Sequence, residues 1–432
     1  MHPNLKVDRP KRLVNSVPPL AAQKAYLLLI SSTFLYYWTP SRVPGSLSIP
    51  KILGISMGLY VLFYTIGKKN RYGITMPRRL AIILWPLLAF QLFQFISNFQ
   101  HLREPPLELL VRDIGALLWV SLSMVFITNR NDLSRTLWAY CLALIAVHLG
   151  IIANGIGLVS FDFGTQSEQK VRSTLSNLEA FRSAGFLVNF GEISIFTAFA
   201  APWLISMLFR MKTTWSIRCF SLLAIATVAA GSIISLSRNV WASAAIAIIV
   251  FLLMRVYKYG RNWSRITMLF AAPILFSLSM PLIAPLLTNL YGDAVDIRAE
   301  SVNDRVLQYR AAISEIRSNP LFGPGPGYVY NNVEIHNIFL NAFIHSGIGG
   351  IFLSGLLIYV LYRLFKRIQY NDQLSAAVFS GYCGSLVAAS FYPVILNSAP
   401  IFWLTFGIGA AAATLPAETQ KTHLIYRSHF QK

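Results

Sequence analysis

Long apolar segments restrict the fold of this chain more than any other feature of its sequence. Each is roughly 17 residues or longer, which is about the length that an α-helix needs to cross the hydrocarbon core of a bilayer. About twelve such segments occur, at 21–38, 50–67, 80–98, 107–128, 136–156, 184–208, 219–237, 240–257, 266–289, 350–365, 374–395 and 400–416. Only 12% of the residues are charged, whereas soluble domains carry roughly 25%. The sequence therefore predicts an all-α integral membrane protein, a single polytopic domain over residues 1–432.

The distribution of positive charge predicts how these spans are oriented. If the N-terminus is cytoplasmic, most of the 37 lysine and arginine residues fall on that same side, in loops such as 68–79 and 255–265. The positive-inside rule describes this bias, so we expect both termini in the cytoplasm. The net charge of +20 is then a consequence of topology, and nucleic-acid binding loses its main support. The three cysteines all lie in apolar segments, which predicts neither a disulfide framework nor a metal site.

Basic residues on the outer side need another explanation, because the positive-inside rule does not ask for them. Nearly all are arginine, whose planar guanidinium holds a phosphate through two hydrogen bonds and never loses its charge. An arginine-rich outer face fits a phosphate or diphosphate ligand; the alternative is pairing with outer acids or lipid headgroups. Arg182 ends an outer loop at about 157–183, and Arg238 lies in a very short turn between two spans. Their positions make these two the strongest candidates for a ligand.

A second outer loop, at about 290–349 between the ninth and tenth spans, carries an amphipathic helix. Ser301 and Asp304 form its start signal, and Asn319-Pro320 ends it because a residue before proline avoids helical geometry. Its apolar residues recur at helical spacing. We expect these residues to dock the helix on the membrane domain: Val302, Val306, Tyr309, Ile313 and Ile316.

The same helix carries two arginine stripes. Arg298 and Arg305 are seven residues apart and nearly aligned, as are Arg310 and Arg317. The two stripes are about 140° apart around the helix, so only one of them can face a cavity. We expect that one to be Arg298 with Arg305, and the other to meet solvent or headgroups.

His336 follows the turn Gly323-Pro324-Gly325-Pro326-Gly327 and stands where a further helix should begin. Nearby arginines should disfavour its protonation and leave a neutral imidazole, as a general base requires; the alternative is an ordinary polar residue at a membrane boundary. His345 lies on the opposite face of that helix and is not expected to contribute. No HExxH, DxD or phosphate-loop motif occurs, so neither a metal nor another cofactor is expected.

Together these motifs resemble a known family. His336-Asn337, nine further residues and then Gly347-Ile348-Gly349-Gly350 fit the H[NSQ]-x9-GxxG pattern of bacterial O-antigen ligases. The run at 319–327, NPLFGPGPG, is similar to the NPLxGxGxG run before that histidine across the O-antigen ligase and polymerase superfamily. The number of spans and the late outer loop with its arginine-bearing helix extend the resemblance to the organisation of the whole chain.

The resemblance implies a membrane glycosyltransferase of the bacterial inner membrane with a periplasmic active site. Such an enzyme transfers a glycan from an undecaprenyl-diphosphate donor to a hydroxyl of the lipid A core without metal, which completes lipopolysaccharide. A single displacement would invert the anomeric centre, since retention would need a nucleophilic carboxylate. His336 would be the base. Residues that would bind the donor are Arg182, Arg238 and Arg305, with Arg298 and Asn337 as further candidates.

Two other functions remain open. A polymerase joins one lipid-linked repeat unit to another by similar chemistry, and the chain has no R-x10-G pattern of the kind associated with some polymerases. The match to x9-GxxG also favours a ligase. A transporter of an organic anion would use the arginines as its binding site, but the sequence has no internal repeat of the kind common in transporters.

Overall fold

A computed structural model gives the architecture of the chain. It describes residues 20–35, 52–60, 78–156, 158, 169–171, 180–182, 190–209, 214–235, 237–259, 305–330, 333–368, 373–391 and 400–415. Helices dominate this part of the chain, in the order α1 (Leu20–Ser31), α2 (52–60), α3 (Arg78–His101), α4 (Pro106–Phe126), α5 (Arg130–Gly155), α6 (Phe190–Leu208), α7 (Trp215–Ile234), α8 (Arg238–Tyr259), α9 (305–318), α10 (Ile338–Ser346), α11 (Gly350–Ile368), α12 (Gln373–Ala389) and α13 (Pro400–Thr414).

Two small antiparallel hairpins accompany the helices among the described residues, both within the predicted outer loops. Strand β1 (Gln169–Val171) pairs with β2 (Ala180–Arg182), and β3 (Val329–Tyr330) pairs with β4 (Val333–Glu334). A 3-10 turn at Gly347–Gly349 joins α10 to α11. The predicted helix start at Ser301 and Asp304 lies outside the described residues, whereas the predicted stop agrees with α9, which ends before Asn319.

Six helical segments within the described residues are long and apolar enough to cross a membrane. They are α3, α4, α5, α6, α7 and the combined segment Ile338–Ile368. The chain is an all-α, multi-pass membrane protein, and the count of about twelve spans stays a prediction. The predicted ninth span, 266–289, lies outside the described residues. The segment that contains the predicted tenth span, 350–365, begins earlier than expected, because α10 leads into α11 through a single 3-10 turn.

Helices α6, α8 and α12 pack closely at the centre of the bundle. The glycines of α12 allow this approach, because a Cβ at Gly381 would collide with the backbone of Phe199 in α6. A Cβ at Gly384 would lie 2.6 Å from Cβ of Ala247 in α8. Lipid is as apolar as the helices themselves, so helices in a membrane associate through such close contacts at small residues.

Aromatic side chains tie α5 to this centre. The ring of Tyr140 in α5 meets the rings of Phe196 and Phe199 in α6, with centroids 4.3 and 5.2 Å apart. Its hydroxyl shares a hydrogen bond of 2.6 Å with the hydroxyl of Thr405 in α13. A buried hydroxyl without a partner is costly in an apolar environment, so this bond holds α5 against α13, while the ring contacts hold α5 against α6.

The packing of α12 predicts that Gly384→Ala destabilises the protein. The added methyl would meet Ala247, Ala198 and the carbonyl oxygen of Ser243, and overpacking of this kind costs about 1–3 kcal/mol. Gly355→Ala in α11 is the matched control, since a Cβ there meets nothing within 4 Å. Thermal unfolding of both variants in detergent measures the difference. Equal unfolding temperatures would show that α12 does not need this glycine.

Candidate functional site

The loop that carries His336 sits on one end of the helical bundle. Helix α3 ends there at His101, whose Nε2 donates a hydrogen bond of 3.0 Å to the carbonyl of Gly323. Helix α8 begins at the same end, where Asn239 Nδ2 donates to the carbonyl of Ala388, 3.2 Å away near the end of α12. The ends of α3 and α12 and the start of α8 therefore form the floor beneath the loop.

The glycine turn after α9 is folded around the break between α10 and α11. Gly323 and Gly347 have φ values of +68° and +53°, which glycine adopts without strain. A Cβ on Gly323 would strike the carbonyl oxygens of Phe343 and Ile344, and a Cβ on Gly347 would strike the backbone of Leu321. The glycines of the two sequence motifs are thus needed because the two backbones touch each other.

Backbone hydrogen bonds complete this contact, which we call the glycine lock (residues 321–325 with 344–348). The amide of Gly325 donates to the carbonyl of Ile344 at 3.0 Å, and the amide of Ile348 donates to the carbonyl of Leu321 at 3.2 Å. Because α10 ends at Ser346, the carbonyl of Ile344 and the amide of Ile348 have no helical partner. Without the glycine lock, both groups would be unsatisfied. The lock therefore fixes the C-terminal end of α10.

Asn337 fixes the other end of α10. Its side-chain oxygen accepts hydrogen bonds of 3.0 Å from the amides of Phe339 and Leu340, which is the geometry of an N-cap. Helix α10 is nine residues long, so the nine-residue spacing of the motif is the length of this helix. The prediction that Asn337 binds substrate remains a prediction; the structure uses its oxygen for capping.

His336 immediately precedes this cap and is half-buried beneath α9. The hydroxyl of Tyr309 in α9 donates a hydrogen bond of 2.9 Å to the backbone carbonyl of His336. Partial burial raises the pKa of Tyr309 above 10.0, and this effect is opposed by the charge of Arg305 and by a hydrogen bond with the Asn337 side chain. The Tyr309 hydroxyl is therefore protonated at neutral pH and able to donate.

Arg305 lies on the same side of α9 as Tyr309, one helical turn before it. Its guanidinium carbon is 5.7 Å from the ring centroid of Phe391, just beyond α12, and the side chain is half-buried. Arg310 and Arg317 are exposed on a different face. Arg305 is thus directed towards the end of α12, on the side of α9 that carries Tyr309.

For two of the remaining predicted arginines, Arg182 and Arg238, the structure describes only the backbone. Arg238 is the first residue of α8, next to Asn239, so its backbone lies at the end of the bundle that carries Arg305. Arg182 belongs to β2, opposite Gln169. The side chains of Arg182 and Arg238, and the whole of Arg298, lie outside the described residues. Their roles in donor binding stay predictions.

Two other arginines at this end of the bundle have partners within the protein. Both terminal nitrogens of Arg112 donate to the carboxylate of Glu104, at 3.3 and 2.9 Å. The guanidinium of Arg103 lies 5.3 Å from the ring centroid of Tyr328. Arginine at this end of the bundle is therefore structural in some places, and its presence alone does not identify a ligand site.

The docking face of α9 differs from the predicted stripe. Ala312 is fully buried in a cluster with Tyr328, Ile335 and Ile344, and Tyr309 and Ile316 pack against that cluster. Val306 and Ile313, both predicted to dock, are instead 44% and 41% exposed, and Val302 lies outside the described residues. The prediction was wrong for these two because helical periodicity identifies an apolar face without showing whether protein or lipid covers it.

His345 has a structural role that its sequence position did not indicate. It is completely buried in α10, where Gln94 Nε2 of α3 donates to its Nδ1 at 3.2 Å. Asn341 of α10 and Ser97 of α3 are buried beside the same helix interface. His345 is thus a packing residue that holds α10 against α3, and its expected absence from the chemistry stays a prediction.

The sequence analysis overlooked Tyr309 as a site residue, because its spacing placed it in the apolar stripe. Its hydroxyl was the available signal, since it is the only polar side-chain group in that stripe. Among the described residues no group of three or more His, Cys, Asp or Glu side chains could hold a metal ion.

A model of the O-antigen ligase family matches residues 223–355. This match supports membership of the O-antigen ligase family for residues 223–355. The matched segment contains α8, α9, the glycine lock, His336 and α10, and so it covers the geometry described above. It also includes Arg238, Arg298 and Arg305, whereas Arg182 lies before it. Comparison with curated proteins gave no match.

The packing of α9 predicts that Ala312→Asp releases the helix from the bundle. An unpaired carboxylate at this fully buried position would cost several kcal/mol. Limited proteolysis should then cleave the 305–330 segment roughly tenfold faster or more. Ile313→Asp, at the adjacent exposed position, is the control and should leave cleavage unchanged. Faster cleavage of the Ile313 variant alone would show that α9 docks through the predicted stripe that contains Ile313.

Proposed function

We propose that this protein is an O-antigen ligase of the bacterial inner membrane, with both termini in the cytoplasm. It transfers a glycan from an undecaprenyl-diphosphate donor to a hydroxyl of the lipid A core at the periplasmic end of the bundle. The observation that carries the proposal is the convergence of Arg305, Tyr309 and His336 within the segment that matches the O-antigen ligase family.

The proposed reaction is a single displacement. His336 takes the proton of the acceptor hydroxyl, whose oxygen forms a bond to the anomeric carbon of the donor sugar. The bond from that carbon to the diphosphate oxygen breaks, and its electron pair leaves with undecaprenyl diphosphate. The anomeric centre is thereby inverted. No metal is needed, because fixed arginines neutralise the departing charge with little reorganisation.

The residues have distinct tasks in this scheme. Arg305, Arg238, Arg182 and Arg298 hold the donor diphosphate, and Asn337 holds α10 in register and lies beside the glycan. Tyr309 is a positioning residue: its hydrogen bond to the His336 carbonyl connects α9 to the backbone that presents the imidazole. Arg305 and His336 are therefore supported by the same helix, so donor and base keep a fixed separation.

The product distinguishes the ligase from a polymerase. Purified protein is given lipid-linked donor with and without lipid A core. A product that requires lipid A core supports the ligase, whereas growth of the lipid-linked glycan without lipid A core identifies a polymerase. Donor binding without any product would favour an anion transporter.

His336→Ala should lower glycan transfer by about 10²–10⁴-fold, the usual contribution of a general base. Donor binding should persist, because arginine recognises the diphosphate. Thermal unfolding should also change little for this half-buried residue. His345→Ala provides the contrast: it removes a buried side chain and the hydrogen-bond partner of Gln94, so its unfolding temperature should fall. Full transfer by the His336 variant would remove it from the mechanism.

Arg305→Lys should be nearly as damaging as Arg305→Ala. Lysine keeps the charge but cannot form the two-pronged contact with phosphate, so transfer should fall roughly 10- to 100-fold, the worth of charged hydrogen bonds. Arg363→Lys, at an exposed position of α11, is the matched control. Transfer is measured at equal membrane levels, and near-normal activity of the Arg305→Lys variant would mean that charge alone is enough.

A further inference from the structure

The side of α9 that faces away from the bundle combines large apolar side chains with arginines. Val306, Leu307 and Ile313 are 44%, 47% and 41% exposed, and Arg310 and Arg317 are exposed among them. At 3.6 residues per turn all five lie within an arc of about 120°. We call these five residues the outward face of α9.

Both charged side chains of the outward face are positive. Glu315 is the only acidic residue in 305–318, and it lies about 140° around the helix from Arg310. Arg310 and Arg317 are seven residues apart and therefore point in nearly the same direction. The outward face thus presents two aligned cations with no acid of the same helix beside them.

Helix α9 packs against a candidate membrane span. The side opposite the outward face belongs to the cluster that contains Ile344, and Ile344 lies within the candidate span Ile338–Ile368. Leu321, just after α9, is a further apolar side chain at 60% exposure. Apolar side chains next to a membrane span are stable where acyl chains cover them, while long arginine side chains reach the headgroups.

We infer that the outward face of α9 binds an anionic phospholipid of the surrounding leaflet. Its acyl region covers Val306, Leu307 and Ile313, and its phosphate is held between Arg310 and Arg317. A lipid fits better than a soluble anion because three of the five residues are apolar. This inference does not rest on the transfer reaction, since lipid binding needs neither donor nor acceptor.

The test places a fluorescent label on Ser314, an exposed residue between Arg310 and Leu307 around the helix. Full-length protein with Ser314→Cys, and with Cys141, Cys219 and Cys383 replaced by alanine, is labelled and reconstituted in nanodiscs. The nanodiscs contain phosphatidylcholine and a small fraction of a nitroxide-bearing lipid. That lipid is either phosphatidylglycerol or phosphatidylcholine, with the nitroxide at the same position.

Quenching by the phosphatidylglycerol probe should be several-fold stronger than quenching by the phosphatidylcholine probe. Arg310→Gln with Arg317→Gln should abolish this preference, and Val306→Ser with Ile313→Ser should reduce quenching by both probes. Arg363→Gln, an exposed arginine of α11, is the matched control and should change neither.

Three results would overturn the inference. Equal quenching by both probes with the arginines intact would show that the face has no preference for an anionic headgroup. No quenching by either probe would mean that water or another segment of this chain covers the face. Energy transfer between labels on two copies in one nanodisc would instead identify a second copy as the occupant. Each readout is independent of glycan transfer.

Discussion

The glycine lock is the contact on which the arrangement of the site depends. A helix that ends inside a protein leaves unpaired backbone groups, which are costly when they are buried. Here the carbonyl of Ile344 and the amide of Ile348 are paired with the turn that follows α9. The turn can approach this closely because Gly323 and Gly347 have no side chain. One pairing of backbones therefore joins α9 to α10 and, through them, brings Tyr309 and His336 together.

The loop is also tied to the bundle at other points. His101 of α3 donates to the Gly323 carbonyl, and Gln94 of the same helix contacts His345 within α10. Arg305 reaches across to Phe391 beyond α12. These contacts involve helices that are far apart in the chain, so the position of His336 depends on the packing of the whole bundle. The loop is thus an extension of the membrane domain.

Much of this architecture could be predicted from the sequence, for identifiable reasons. Apolar length indicated the membrane helices, and Asn319-Pro320 marked the end of α9, because both signals are local. The side of α9 that packs on the bundle could not be predicted, because the exposed residues Val306 and Ile313 are as apolar as residues that face protein. The role of His345 was missed because its partner, Gln94, is distant in sequence. Spacing separated Arg305 from the exposed Arg310 and Arg317, while the contact of Tyr309 with His336 required the fold.

The length of α10 sets the distance and the rotation between the cap at Asn337 and the glycine lock at Gly347. Each residue of an α-helix adds about 1.5 Å of length and 100° of rotation. Insertion of a single residue into α10 would therefore turn His336 away from Tyr309 while both ends of the helix remained anchored. Loss or gain of a whole turn would restore the direction but shift the histidine by about 5 Å. Side chains within α10 can vary wherever packing permits, but the number of residues between the two anchors is fixed by geometry.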